Sequence, residues 1–115
     1  MIDPGLDRIA VVTGGNKGIG LEVCRQLAGD GATVVLTARD ETRGAAAAEK
    51  LRDAGLSDVI FHQLEITDAT SIARLAEFLK TRFGKLDILV GCLLKLPDNR
   101  YAWPRMIDLL LFLYR

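Results

Sequence analysis

Along most of the chain, short apolar segments typical of strands take turns with longer segments typical of helices. Four short apolar segments lack regular alternation with polar residues, which is typical of strands covered on both faces of a parallel sheet. They predict strands at Ile9–Thr13, Thr33–Thr37, Val59–Leu64 and Leu86–Val90. In the first and third segments between these strands, apolar residues recur every three or four positions, which indicates amphipathic helices. The second segment is predicted to be helical from its run of four alanines, which are good helix formers. The three predicted helices are Gly18–Ala28, Glu41–Ala54 and Ala69–Phe83.

The ends of the predicted helices carry recognisable signals. Asp40 and Asp68 are placed to cap the second and third helices, because a short acidic side chain can accept hydrogen bonds from the first turn. Glycines follow all three helices, as is common at helix ends. The resulting order, βαβαβαβ, predicts right-handed crossovers and an α/β fold with a parallel sheet.

Residues 91–115 differ in composition from the residues before them. They hold four basic and two acidic residues, and four of the seven aromatic residues of the chain. Pro97 and Pro104 interrupt any long helix, which leaves Met106–Leu113 as a short apolar element. We therefore expect a domain at 1–90 and a divergent, irregular, partly helical tail at 91–115.

Composition narrows the class of protein. The chain has 115 residues, is 50% hydrophobic, and carries 15 basic and 15 acidic residues. The apolar content excludes intrinsic disorder, and the balanced charge gives no reason to expect a nucleic-acid partner. No apolar run approaches the ~18 residues of a membrane span, and the first residues do not resemble a signal peptide. Cys24 and Cys92 are predicted to be free thiols, so we expect a cytoplasmic protein.

A glycine-rich turn links the first strand to the first helix. Its sequence is Thr13-Gly14-Gly15-Asn16-Lys17-Gly18-Ile19-Gly20. Glycines allow a tight turn and let the backbone approach a pyrophosphate, while the helix N-terminus offers N–H groups to phosphates. The strand–turn–helix context favours a dinucleotide site, and the alternative is a glycine turn with a structural role alone.

The spacing T-G-x-x-x-G-I-G resembles the short-chain dehydrogenase/reductase family, and the resemblance extends from about Arg8 to Val90. The segments AVVTGGNKGIGLEVCRQLA, VVLTARDETRG and FHQLEITD are most similar to its NADPH-dependent carbonyl reductases, of the menthone and salutaridine reductase type. The resemblance implies the N-terminal half of a Rossmann-type doubly wound sheet with strand order 3-2-1-4. It also implies that the pyrophosphate and ribose are lined by Thr13, Gly14, Asn16, Gly18, Ile19 and Gly20.

The choice of cofactor is indicated by Arg39, which follows the second strand about 20 residues after the glycines. NAD sites place an acid there, whereas NADP sites use arginine. Asp40 is better placed as a helix cap, and Lys17 adds a second cation that can reach the same phosphate. The sequence therefore predicts NADP(H), the alternative being that Arg39 is a solvated surface residue.

A further contact is expected after the third strand. There the family usually carries an aspartate that meets the adenine amino group, and the matching residue is Glu65, flanked by Leu64 and Ile66. Glutamate keeps the acceptor oxygen but is one methylene longer. His62 has no second ligand nearby in the sequence and does not indicate a metal site.

The resemblance fails after Val90. The family continues with Asn-Asn-Ala-Gly, whereas this chain has Gly91-Cys92-Leu93-Leu94. The resemblance implies that the family's catalytic Ser and Tyr-x-x-x-Lys belong to segments beyond residue 115, so no catalytic residue is assigned. Tyr101 and Arg105 have the four-residue spacing of the family's Tyr and Lys. Arginine stays charged and cannot relay a proton, and Pro104 interrupts the helix that would place both on one face.

Two functions remain open at this stage. The chain is expected to be an NADP(H)-binding member of the family, resembling ketone reductases and inactive alone because the catalytic half is missing. The alternative is a catalytically silent truncated or splice-variant chain that binds nucleotide or a partner. The outer edge of the fourth strand would lack its usual neighbour, which makes self-association there an expectation. The sequence does not indicate a substrate.

Overall fold

The computed structural model describes residues 8–90, together with the backbone of 94–95 and 101–102. Its elements, in chain order, are β1 (Ile9–Val12), α1 (Gly18–Gly29), β2 (Thr33–Ala38), α2 (Glu41–Asp53), β3 (Val59–Gln63), α3 (Ala69–Arg82), β4 (Ile88–Val90), β5 (Leu94–Lys95) and β6 (Tyr101–Ala102).

The first four strands form one parallel sheet in the order β3-β2-β1-β4. β1 is therefore hydrogen-bonded on both sides, with Val12 opposite Leu36 of β2 and opposite Val90 of β4. This order confirms the predicted α/β fold of a Rossmann-type half. It places the carboxyl ends of all four strands, and the loops that follow them, at one edge of the sheet.

The sheet is covered on both faces, which explains why its strands lack polar–apolar alternation. On one face, Val11 and Val35 pack with Ile72, Leu75 and Leu79 of α3. On the opposite face, Val12, Val34 and Leu36 pack with apolar residues of the other two helices, namely Cys24, Ala48 and Leu51. All four residues of β1 are at most 5% exposed. No helix within the described residues is both long enough and apolar enough to cross a membrane.

The helix caps form as the sequence predicts. The backbone N–H of Arg43 donates to the Asp40 side chain at 3.0 Å, and that of Thr70 donates to the Asp68 side chain at 2.9 Å. Each bond satisfies a donor that would otherwise lack a partner in the first turn of its helix. α2 and α3 therefore begin where expected, and the bounds of β1, β2, β3 and the three helices differ from the prediction by one residue.

β4 begins later than the predicted Leu86. The N–H of Ile9 donates to Asp87 Oδ2 at 2.8 Å, and the N–H of Asp87 donates to the Ile9 carbonyl at 2.9 Å. The Asp87 side chain thus takes the place of a backbone acceptor for the Ile9 N–H, and regular pairing of β1 with β4 begins at Ile88. This Ile9 N–H, together with the Lys85 ammonium 3.2 Å from Oδ2, lowers the pKa of Asp87.

The sequence analysis did not predict strands after β4. β5 and β6 pair antiparallel, with Leu94 opposite Ala102 and Lys95 opposite Tyr101. Two-residue strands are too short to show a periodic pattern, so their residue types carry no signal. The predicted element Met106–Leu113 lies outside the described residues, as do Cys92, Pro97 and Pro104.

The close approach of α2 to β3 at Gly44 generates a stability prediction. A Cβ at Gly44 would overlap the Phe61 ring. We expect Gly44→Ala to lower the free energy of unfolding by about 1–3 kcal/mol, because overpacking outweighs the better helix propensity of alanine. Chemical denaturation measures the change.

Gly29→Ala is the matched control, since Gly29 is also helical but has open space around a built Cβ. It should cause no loss of stability. Equal effects of the two substitutions would show that the packing of α2 against Phe61 does not limit stability.

Candidate functional site

The turn between β1 and α1 is fastened to the neighbouring strands. The N–H of Thr13 donates to the Val90 carbonyl at 2.9 Å, and the N–H of Gly15 donates to the Thr37 carbonyl at 2.9 Å. The fully buried Thr37 hydroxyl donates to the Val12 carbonyl at 2.8 Å. The turn is therefore held in place by the carboxyl ends of both strands that flank β1.

Glycine is needed at several positions of this turn. Gly14 has φ +63° and Gly18 has φ +59°, both in the left-handed region that other residues rarely adopt. Gly20 needs the space, because a Cβ there would clash with the Gly14 carbonyl oxygen. The first turn of α1 thus packs directly on the glycine-rich turn. A Cβ built at Gly18 meets nothing within 4 Å, so the space beside that residue is open.

The N-terminus of α1 has no side-chain cap. Lys17 occupies the N-cap position without making a capping hydrogen bond, and the first turn contains no acidic residue. The first N–H groups of a helix carry a partial positive charge and need acceptors. Together with the open space at Gly18, this arrangement fits an anionic group such as a pyrophosphate.

A first cleft of about 250 Å³ lies at the carboxyl ends of β1, β2 and β3. It is lined by Thr13, Gly14, Asn16, Thr37, Ala38, Arg39, Leu64, Glu65 and Ile66. Seven of these nine residues are among the eleven predicted site residues. Thr37 and Ala38 were not predicted as site residues, because the sequence there indicates only a buried strand. In the structure, the carboxyl end of β2 also forms a wall of the cleft.

Arg39 and Glu65 face each other in this cleft. Arg39 Nε lies 3.8 Å from Glu65 Oε2, and the Arg39 side chain is 82% exposed whereas that of Glu65 is 28% exposed. The Gln63 side-chain amide donates to the Arg39 carbonyl at 3.2 Å, which ties the end of β2 to the end of β3. The cleft therefore carries an exposed cation beside a more buried carboxylate.

A second cleft of about 350 Å³ lies between the glycine-rich turn and α2. It is lined by Asn16, Lys17, Leu21, Arg43, Ala46, Ala47 and Lys50. Three cations, Lys17, Arg43 and Lys50, thus line one cleft. Lys17 and Arg39 line different clefts that share Asn16, so the structure does not place these two cations in one cleft. Arg43 was not predicted as a site residue. The available signal was a basic residue in the first turn of the helix that follows β2.

Three predicted residues line neither cleft: Gly18, Ile19 and Gly20. The Ile19 side chain is 85% exposed, which makes it an exposed large apolar residue at the N-terminus of α1. Gly20 packs against the Gly14 carbonyl where α1 meets the turn. The structure thus gathers most, but not all, of the predicted cofactor-binding residues around the first cleft.

The described residues offer few candidates for other chemistry. Cys24 is a buried free thiol beneath the turn, and burial raises its pKa to about 12, so it is not a nucleophile at neutral pH. His62 packs on the Phe78 ring with a centroid separation of 4.8 Å. No group of three or more potential metal ligands occurs among the described residues. Tyr101 lies in β6, and Arg105 lies outside the described part of the chain.

Comparison with known proteins agrees with this geometry. The short chain dehydrogenase family matches residues 8–93. Salutaridine reductase of Papaver bracteatum is 61% identical over 85 residues, which cover 73% of this chain and 27% of that protein. Human carbonyl reductase [NADPH] 1 is 54% identical over 87 residues, covering 72% and 30%. The structure of menthone neomenthol reductase from Mentha piperita superposes with a TM-score of 0.74 at 49% identity, covering 78% and 33%.

This chain belongs to the short-chain dehydrogenase/reductase family, and its relatives include salutaridine, neomenthol and carbonyl reductases. It spans about a third or less of the length of the relatives it matches. The family resemblance stated from the sequence is confirmed. The similarity covers the sheet, its helices and the glycine-rich turn.

Proposed function

We propose that the α/β domain, residues 1–90, is the NADP(H)-binding part of a carbonyl-reductase-type oxidoreductase. The observation that carries the proposal is that one glycine-rich turn leads into the uncapped N-terminus of α1 and also lines the first cleft, together with Arg39. Support for the phosphorylated cofactor comes from the name of the human relative, which specifies NADPH. A cytoplasmic location, suggested by the free thiol of Cys24, belongs to the same proposal.

The residues around the clefts fit the parts of this cofactor. The first N–H groups of α1 would receive the pyrophosphate, and the open space at Gly18 leaves room for it. Leu64 and Ile66 supply apolar walls for adenine, with Glu65 between them as an acceptor for its amino group. Arg39 would bind the 2′-phosphate as a planar fork, while Lys17 and Arg43 add positive charge from the second cleft. Bound NADPH would supply a hydride.

We propose that these 115 residues alone do not catalyse carbonyl reduction. By resemblance, a tyrosine donates the proton to the carbonyl oxygen, a lysine lowers the pKa of that tyrosine, and a serine orients the substrate. No residue of this sequence matches that set. A hydride transferred to a carbonyl without a positioned proton donor leaves an alkoxide unstabilised, so the step would be orders of magnitude slower.

The second candidate function is a catalytically silent module that binds nucleotide or a partner. It is favoured by the segment after Val90, where Gly91-Cys92-Leu93-Leu94 replaces the family's Asn-Asn-Ala-Gly and where the family match ends, at residue 93. The tail at 91–115 would then serve a purpose other than catalysis. Nucleotide binding is common to both candidates, and turnover separates them.

The first prediction of this proposal concerns cofactor preference. The chain should bind NADP⁺ more tightly than NAD⁺, and Arg39→Asp should reverse the preference, because it repels the 2′-phosphate and offers the ribose hydroxyl an acceptor. A charge-assisted contact is worth roughly 1.5–3 kcal/mol, so the loss in NADP⁺ affinity should be about ten- to a hundredfold. Calorimetric titration measures both affinities.

Arg74→Asp is the matched control, because Arg74 is an exposed arginine of α3 and should leave the preference unchanged. Gly18→Val should abolish binding of both nucleotides alike, since its side chain would enter the pyrophosphate space and valine would be strained at the φ of +59° that Gly18 has. Equal wild-type affinities, or an Arg39→Asp variant that retains the NADP⁺ preference, would remove Arg39 from the site.

The second prediction concerns turnover. The 115-residue chain with NADPH should reduce none of a panel of cyclic ketones, quinones and aldehydes, as followed by the loss of NADPH absorbance. Multiple turnovers that survive Tyr101→Phe would reveal an acid outside the family pattern. Turnover abolished by Tyr101→Phe would identify Tyr101 as the proton donor and contradict the proposed absence of catalysis.

The third prediction concerns β4, which pairs only with β1 among the described strands. An apolar strand edge with unpaired N–H and C=O groups is a site for pairing with another chain. We expect concentration-dependent association in size-exclusion chromatography with light scattering. A stable monomer at all concentrations, with stability unchanged on deletion of residues 101–115, would contradict this expectation.

A further inference from the structure

The first cleft contains one acid and one base among its nine lining residues. Glu65 is the acid and Arg39 the base, and they form the ion pair described above. The Arg39 guanidinium is therefore paired with a carboxylate of the same cleft.

Glu65 is held in place from two sides. Its Oε1 accepts hydrogen bonds from the Thr67 hydroxyl at 2.9 Å and from the Thr67 N–H at 3.3 Å. Its backbone N–H donates to the buried Ser71 hydroxyl at 2.8 Å. These bonds occupy Oε1 and fix the backbone, which leaves Oε2 directed at Arg39.

Arg39, in contrast, is anchored through its backbone. Its carbonyl accepts from the Gln63 side chain, while its guanidinium is exposed and pairs with Glu65. The position of the guanidinium therefore depends on Glu65 more than the position of Glu65 depends on Arg39. The separation of 3.8 Å is close to the limit of an ion pair, so a carboxylate one methylene shorter would be expected to lose the contact.

We propose that Glu65 is a positioning residue that sets cofactor specificity, because its carboxylate competes with the 2′-phosphate of the cofactor for the Arg39 guanidinium. The inference rests on the proposed NADP(H) function and deepens it. Glu65 lowers the preference for NADP(H) over NAD(H) relative to what Arg39 alone would give. NAD(H) has no 2′-phosphate and does not compete for Arg39, so its affinity is unaffected by the pair.

A double-mutant cycle tests this inference on the full chain. The affinities for NADP⁺ and NAD⁺ are measured calorimetrically for the wild type, Glu65→Gln, Arg39→Ala and the double variant. Glutamine keeps an acceptor oxygen for the adenine amino group while removing the charge. Because an exposed ion pair is weak, Glu65→Gln should raise the ratio of NADP⁺ to NAD⁺ affinity about two- to fivefold, whatever it does to the adenine contact that both nucleotides share. In the Arg39→Ala background, the same substitution should leave this ratio unchanged.

Two further variants sharpen the result. Glu65→Asp retains the charge but withdraws it from Arg39, and should shift the NADP⁺/NAD⁺ ratio in the same direction as Glu65→Gln. Glu41→Gln removes an exposed acid from the first turn of α2 and should leave the ratio unchanged.

The outcomes that overturn the inference are distinct. An equal loss of both affinities in Glu65→Gln would mean that Glu65 contacts adenine alone. A gain in NADP⁺ affinity that persists without Arg39 would mean direct repulsion of the phosphate. An unchanged ratio in a wild type that binds both nucleotides would overturn the inference and leave the proposed function standing. A folded wild type that binds neither would overturn the proposed function itself.

Discussion

The burial of β1 on both faces and along both edges is the constraint on which the rest of the structure depends. Its side chains pack between α3 on one face and α1 and α2 on the other, and each fully buried Val or Ile contributes roughly 1.5–3 kcal/mol. Its backbone is paired with β2 and β4. The end of this strand cannot move without disturbing the core, so the glycine-rich turn that follows Val12 starts from a fixed point.

Three hydrogen bonds, made by Thr13, Gly15 and Thr37, hold the glycine-rich turn against this fixed strand end and its neighbours. They join the turn to β2 and β4 through backbone groups and one buried hydroxyl. The charged residues beyond the turn are held less tightly. Both arginines after β2 pair with a carboxylate, Arg39 with Glu65 at 3.8 Å and Arg43 with Asp40 at 4.0 Å. The site thus combines a fixed backbone cradle with adjustable charges at its rim.

Features encoded by local sequence were predicted well. The caps at Asp40 and Asp68, the glycine-rich turn and the bounds of most elements depend on residues within a few positions of one another. The strand order followed from the family resemblance, whereas contacts between side chains distant in sequence were not predicted. Lys17 and Arg39 were expected to reach one phosphate; Lys17 lines the cleft beside α2 and Arg39 lines the first cleft, and Asn16 lines both. The ion pair of Glu65 with Arg39 joins the ends of two strands that are distant in sequence. An arginine or a glutamate at a strand end does not by itself indicate which residue it pairs with.

The exposure of Arg39 would make the surrounding electrolyte part of the proposed recognition of a phosphate. A guanidinium that is 82% exposed interacts with a phosphate through solvent as much as through protein, and mobile ions screen such charges over about 8 Å at physiological ionic strength. The backbone N–H groups around the turn carry only partial charges and bind by short hydrogen bonds, so screening weakens their contribution less. A preference between two dinucleotides that differ by one phosphate would therefore narrow as salt rises, while the affinity they share would fall less. Dilute buffer would exaggerate the discrimination available to the protein in a cell.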